Sequence, residues 1–399
     1  MKRLFFLVLF GLMACQPVES TVSLLQPQRE ATNETQFPTL DDYWLGSAEF
    51  ILDVDDTGLP MGESETIEVE NGHLWSYVHA SWQSAEVVDQ CGAPVTFPGC
   101  VVIYRSYDGG ESFAIDDPAV CLTDCRQCPC TSSVDHIGPE WAQQQYPDVA
   151  YHAESDTMYM VYENGGAAWM RRSRDGVQWG YPQRVGDTGH FSTGTKRCRP
   201  DETIGQHPFV PFDYDCLAGG PPGLFIADDW VHVFVAGGQA PGNMICFKGR
   251  VGQASEKYQR CDNNPLFTSM AREYGPLELR GTGANPYWDF RTISSAEILP
   301  VVAGRQTNYY MLYEGIRGPG PFDGGDTQFA LGLARTTAGK LDSKWEVFHG
   351  NPILVDLPAN VGLGHADLYV TPAGETVLYT SLDGVVRSRL RLMWKDVGQ

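Results

Sequence analysis

What is scarce in these 399 residues narrows the possibilities first. Apart from residues 4–13, no stretch approaches the roughly 18 to 20 uninterrupted apolar residues that a membrane-spanning helix needs, and that one run is itself too short. Basic residues are few: 28 Lys and Arg stand against 50 Asp and Glu, a formal charge of −22. A chain without a basic stripe cannot release counterions from a polyanion, so no nucleic-acid partner is expected. Neutral ligands, or cations held by carboxylates, fit this balance. Convincing amphipathic helical periodicity is scarce throughout. The glycine-rich "GPGPFDGGD" from Gly318 is followed by neither a helix-forming segment nor a Lys-Ser/Thr pair. It therefore reads as a mobile loop and not as a phosphate cradle.

What is present begins at the N-terminus. Lys2 and Arg3 precede the apolar run, the order of a secretory signal. The run ends in "LMAC", Leu12 to Cys15, which resembles the bacterial lipobox. That resemblance implies cleavage before Cys15, with lipid on its thiol and its new amino terminus. Gln16, standing where Asp would signal retention at the inner membrane, favours the outer membrane. Residues 1–14 thus read as a lipoprotein signal peptide. Residues 15–40, rich in Gln, Glu, Thr, Ser and Pro, read as the lipidated cysteine and a flexible tether. Residues 41–399 show no second linker and are expected to form one domain, a monomer touching the membrane through its lipid alone. The expected location is the outer membrane, periplasmic or surface-facing.

Eleven cysteines become an even ten once Cys15 is assigned to lipid. The run "CLTDCRQCPC", Cys121 to Cys130, has the short thiolate spacing that suits zinc or an iron–sulfur cluster. Export to an oxidising compartment favours disulfide staples in long loops instead. Cys128 and Cys130 are too close to pair with one another and bond elsewhere.

Internal repetition fixes the architecture. Apolar and aromatic strands begin at Leu74, Met158, Val231, Tyr309 and Thr376, at intervals of 84, 73, 78 and 67 residues. Each is preceded by an extended partner and a turn, as in "PDVAYHAESD" or "ADLYVTPAGE", and followed by a third strand, as in "CVVIYRSYDGGESF". Repeated antiparallel sheets with few helices predict an all-β chain, a propeller of five blades with long disulfide-bearing loops.

"SYDGGESF", holding Ser106, Asp108, Gly110 and Phe113, resembles the Asp-box of sialidase-like propellers, a turn between the outer strands of a blade. In it serine and aspartate satisfy backbone donors, glycine takes a positive φ and the aromatic plugs between strands. Ser173, Asp175, Gly176 and Trp179 repeat the pattern. Both aspartates read as structural.

"YYMLYEG…FALGLARTTAGKLDSKWEVFHGNPIL" and "PDVAYHAESDTMYMVYE" resemble the five-bladed glycoside hydrolases of the arabinanase, xylosidase and invertase type, over about residues 146–379. The resemblance implies three carboxylates projecting into a central funnel, serving as base or nucleophile, pKa tuner and general acid. Aligning the blades places Asp148, Glu297 and Asp367 at the heads of inner strands two, four and five. Glu297 is assigned as acid, Asp148 as base or nucleophile, and Asp367 as tuner. Blade three offers Pro222-Gly223 at that position, and blade one only Glu63 or Glu65. Trp288, Asp289 and Arg291, just before the Glu297 strand, and His365, two residues before Asp367, are candidates for substrate binding, with packing as the alternative. No cofactor and no metal ligand set is expected, although the resemblance leaves room for a structural or pocket-bound calcium ion. The expected function is hydrolysis of glycosidic bonds in an external oligo- or polysaccharide. The alternative is a non-catalytic propeller that binds carbohydrate or protein.

Overall fold

The computed structural model describes residues 37 to 395 apart from several segments, the longest being 80–86, 124–144, 190–217, 270–287, 318–327 and 356–365. Five antiparallel sheets make five blades. Their innermost strands are Ser64–Glu68, Gln145–His152, Ala218–Ala227, Thr292–Ala303 and Asp367–Val370. Each inner strand packs against the next, and the fifth packs against the first, so the ring is closed around one axis.

The strands are apolar on both faces because each blade is sandwiched between two others. Five clusters of buried side chains fill the five gaps. Ile67, Tyr77 and Val101 of blade one meet Val149, Met158 and Met160 of blade two, for example. Among the described residues no helix is long and apolar enough to cross a membrane.

One strand lies outside the fivefold repeat. Ala48–Val54 pairs antiparallel with the last strand, Ser388–Trp394, from Ala48 opposite Trp394 to Leu52 opposite Leu390. Blade five is therefore built from both ends of the described chain. Asp53 fastens this seam by pairing with Arg389 and Arg391. Leu40, expected at the end of the tether, is fully buried in the layer between blades four and five, at the start of the short helix Leu40–Trp44.

Both Asp-box turns lie between third and fourth strands. Asp108 accepts hydrogen bonds from Ser106 Oγ at 2.7 Å, Ser112 N at 3.0 Å and Ser112 Oγ at 2.6 Å. Partial burial pushes the carboxyl up, but these donors prevail and hold it at about 2. Phe113 packs edge-on to Tyr379 at 5.7 Å. A blade-to-blade contact runs through the same turns: Tyr379 Oη of blade five donates to Gly110 O of blade one, and Tyr77 Oη to Gly176 O of blade two, both at 3.2 Å. Gly110 has φ +86°, and a Cβ there would stand 2.0 Å from Tyr379 Oη.

Of the ten cysteines expected in disulfides, Cys246 and Cys261 are bonded. Cys100 and Cys121 are buried in the layer between blades five and one. Cys91, Cys125, Cys128, Cys130, Cys198 and Cys216 lie outside the described residues, as do Cys15 and the Gly318 loop.

Candidate functional site

The heads of the inner strands converge on the axis and carry the acids with them. Two of the acid-bearing strands open on a bulge: the register shifts between Gln145 and Asp148 and between Ser294 and Ala296. Within each bulge sits a non-glycine residue in the left-handed region, Tyr146 at φ 58° and Ser295 at φ 51°. Such conformations are disfavoured for residues with a Cβ and persist where the surroundings impose them. Each stands two residues before a carboxylate, Asp148 or Glu297, so the bulges set where those side chains point.

Carboxylate oxygens of Glu65, Asp148 and Glu297, from blades one, two and four, lie within 4.8 Å of one another. Glu65 and Asp148 are buried, whereas Glu297 is partly open to a small pocket lined by Glu63, Ser64, Tyr146, Asp148, Pro222 and Glu297. Glu65 and Glu297 are hydrogen-bonded side chain to side chain, which requires a proton between them. Burial, then the charges of Glu297, Asp148 and Asp367, pushes Glu65 well up. Glu297 is raised by burial and then by Asp148 and Asp367. Asp148 is raised by burial and the Asp367 charge, against the hydrogen bond it accepts from Leu224 N at 2.6 Å. Four neighbouring acids, three of them buried, cannot all ionise cheaply.

Asp367 is fully buried. Burial pushes its carboxyl up to about 6, opposed by Thr66, Arg387 and Ser64, whose hydroxyl donates to Oδ2 at 3.4 Å. Arg387 is fully buried as well; burial lowers it to about 10, while Asp367, Glu63 and Glu314 pull the other way. Glu63 faces blade one's own His79, with Oε2 and Nδ1 at 3.1 Å.

Of the three acids chosen from sequence, Asp148 and Glu297 come together, while Asp367 stands outside the trio and acts on it through its charge; the ambiguity in blade one resolves in space, because Glu65 and not Glu63 joins Asp148 and Glu297. A signal for Glu65 was available. It precedes its cross-strand partner Tyr77 by the same 12 residues that separate Asp367 from Tyr379. Arg387 had no such signal.

Blade three contributes no acid for a steric reason. A Cβ on Gly223 would stand 1.9 Å from Ala296 O, so the third and fourth inner strands approach too closely there for any side chain.

The proposed sugar-binding residues fare differently. Trp288 is 8% exposed and packs 5.4 Å from Tyr313 over Gly315 and Gly332. Asp289 is fully buried and accepts a hydrogen bond from Ser269 Oγ at 2.8 Å. Both belong to the layer between blades three and four and not to the pocket wall, because the absence of side chains at Gly315 and Gly332 creates the slot that the indole fills. Arg291 and His365 lie outside the described residues.

No family model matches the chain, and no curated protein does. Among solved structures it is similar to the catalytic domain of a GH62 α-L-arabinofuranosidase of Coprinopsis cinerea, with TM-score 0.47 and 10% identity over 88% of this chain and 97% of that one. It is also similar to a xylan β-1,4-xylosidase of Bacillus halodurans, with TM-score 0.46 and 16% identity over 88% and 56%. A third is an endo-arabinase of Bacteroides thetaiotaomicron, with TM-score 0.44 and 11% identity over 88% and 99%. The five blades rest on the strand pairing itself, and the likeness stands beside it.

Proposed function

We propose that this chain is a glycoside hydrolase of external oligo- or polysaccharides, working at the axial carboxylates. The observation that carries the reading is the meeting of Glu65, Asp148 and Glu297 beside a small pocket that Asp148 and Glu297 line, with one hydrogen-bonded acid pair among them. Glycoside hydrolysis needs a carboxylic acid to protonate the leaving oxygen and a carboxylate to act as base or nucleophile. Glu297 is assigned the acid role, because burial and then its acidic neighbours raise its proton affinity and it alone of the three is partly open to the pocket. Asp148 is assigned as base or nucleophile. Asp367, buried and without a place on the pocket wall, tunes the others through its charge.

The acids stand closer than the ~5–5.5 Å of retaining or ~6.5–9.5 Å of inverting pairs. A sugar ring must therefore turn Glu297 outward as it enters.

The test is a turnover screen of the purified protein on arabinan, xylan and fructan oligosaccharides, the substrate classes of the family it resembles in sequence. Glu297→Gln should lower kcat by about 10²–10⁴ without loss of the folded state. Full activity in that variant rejects the mechanism. Binding without turnover by the parent protein would replace hydrolysis with the second function open to this fold, a carbohydrate-binding propeller.

The leader supports one further part of the proposal, that lipid on Cys15 holds the propeller at the outer membrane. Cys15→Ser should release the protein from membrane fractions, and unchanged sedimentation would reject the anchor.

A further inference from the structure

We propose that the outer edge of blade five, at the end opposite the pocket, lies on a zwitterionic lipid surface and holds the axial pocket away from it. The proposal rests on the lipid at Cys15 only for delivery to the membrane; the contact itself belongs to the propeller.

Strand register fixes the two ends of the blade. Asp367 stands opposite Tyr379 and Thr380 opposite Ser388, so Ser388 shares the end of the blade that carries Asp367 and the pocket residue Ala366. The strand Ser388–Trp394 then runs roughly 20 Å, at about 3.4 Å per residue, to Trp394, which pairs with Ala48. The turn after the helix Leu40–Trp44 lies at this far end, where Lys395 N donates to Ser47 O at 3.0 Å. The chain arriving from Cys15 thus meets the propeller opposite the pocket. Between Cys15 and Phe37 lie 22 residue steps, a reach of at most about 75 Å. That is enough for either face, so the surface chemistry of the propeller decides its orientation.

This chemistry is uneven. Ten large apolar side chains stand exposed among the described residues, and five belong to this edge: Leu45 at 78%, Ile51, Leu52 and Trp394 at 46%, and Met393 at 41%. Among the described residues no further strand pairs with Ala48–Val54 to cover them. Tyr107 adds an exposed aromatic from blade one, since its near neighbour Gly109 O accepts from Arg389 Nη1 at 3.0 Å. Only Leu382 and Val385 of the ten lie in the loop at the pocket end of blade five. Apolar side chains gathered at a surface mark a contact, and tryptophan and tyrosine suit the boundary between lipid and water.

The charges select the partner. In a chain of net charge −22, residues 48–54 and 388–395 carry three bases and two acids. Asp53 pairs with Arg389 and Arg391, and Arg391 also holds Glu375. In the adjoining helix Asp41 is engaged by Tyr310 and Asp42 by Thr39. A locally balanced surface meets zwitterionic headgroups without repulsion, whereas a second copy would bring two strongly acidic chains together.

Full-length protein is mixed with phosphatidylcholine vesicles brominated in their acyl chains, with sedimentation and tryptophan fluorescence as readouts. Trp394→Phe should remove most of the emission that bromine quenches, whereas Trp230→Phe, on blade three, should not. Val385→Trp puts a reporter at the pocket end, and its added emission should stay unquenched. Leu45→Ser combined with Met393→Ser should lower the ratio of docked to undocked protein by roughly tenfold, without changing sedimentation. Trp394 quenching in a protein whose sedimentation does not depend on Cys15 would support docking and reject the anchor. Sedimentation without Trp394 quenching would overturn docking and keep the anchor. Quenching of the Val385→Trp reporter, or no binding of the parent protein to these vesicles, would also overturn the proposal. So would a dimer, seen without lipid, that the Leu45→Ser, Met393→Ser variant abolishes, because it would give the edge to a second copy.

Discussion

Asp148 of blade two accepts a hydrogen bond at 2.6 Å from the backbone N–H of Leu224 in blade three. An inner strand has one edge facing the axis, where no further strand follows to pair with it. The carboxylate satisfies one donor on that edge and ties two blades together. The residue assigned to chemistry is thus also a structural clamp, and its substitutions separate the two roles.

Asp148→Asn keeps an acceptor for Leu224 while removing a buried charge, so its stability should equal or exceed that of the parent. Asp148→Ala leaves the N–H unpaired and should unfold about 1–3 kcal/mol more easily than the Asn variant. Both should lose hydrolysis. Urea unfolding of the pair decides the matter, and equal midpoints would remove the clamp from the account.

Gly223→Ala forces a Cβ to 1.9 Å from Ala296 O, next to Glu297. Backbone cannot yield as a flexible side chain can, so the cost should be about 3 kcal/mol or more, with lost activity. Gly252 has φ +81° and nothing within 4 Å of where a Cβ would stand, so Gly252→Ala should cost only about 1 kcal/mol through its φ. Thermal unfolding of both proteins measures the difference, and a smaller loss for Gly223→Ala would contradict the close approach.

The axial acids bias stability toward low pH. A carboxyl whose folded pKa lies above its unfolded value contributes stability that is complete below the unfolded value and lost as pH rises through the folded one. For Asp367 that window runs from about 4 to about 6. Glu65, Asp148 and Glu297, also raised, extend it upward. The protein should be more stable at pH 5 than at pH 8, and Asp367→Asn should reduce that difference by on the order of 1 kcal/mol. Denaturant midpoints across this range test it; a rise in stability toward pH 8 would be incompatible.

Asp108→Ala should separate fold from chemistry in the opposite sense. It removes the acceptor for Ser106, Glu111 and Ser112 in an exposed turn between outer strands. A loss of about 1 kcal/mol is expected after solvent has replaced part of those bonds, with kcat on any cleaved sugar unchanged. Loss of turnover at unchanged stability would return Asp108 to the list of active-site candidates.

The blades were legible because strand alternation and turn chemistry are local. The middle strands begun at Leu74, Met158, Val231, Tyr309 and Thr376, and the Asp-box turns after Ser106 and Ser173, follow from residues close in sequence. Asp148, Glu297 and Asp367 could be placed on one register because the repeat puts corresponding residues at corresponding heights. Ala48–Val54 was not legible, since its partner lies more than 300 residues away at Ser388–Trp394. Trp288 and Asp289 looked like binding residues because an aromatic beside an acid has the same appearance in a pocket or a core; Gly315 and Gly332 decided for the core.

By itself, then, the sequence determined a ring of five sheets and an acid on most inner strands, since both arise from short-range pattern repeated along the chain. Only the tertiary structure decided which acids meet. Bulges at Tyr146 and Ser295 aim two of them, Gly223 denies blade three a side chain, and Glu65 enters beside Glu297 while Glu63 pairs with His79. Those outcomes depend on how neighbouring blades pack across a closed ring, and no local pattern records that distance.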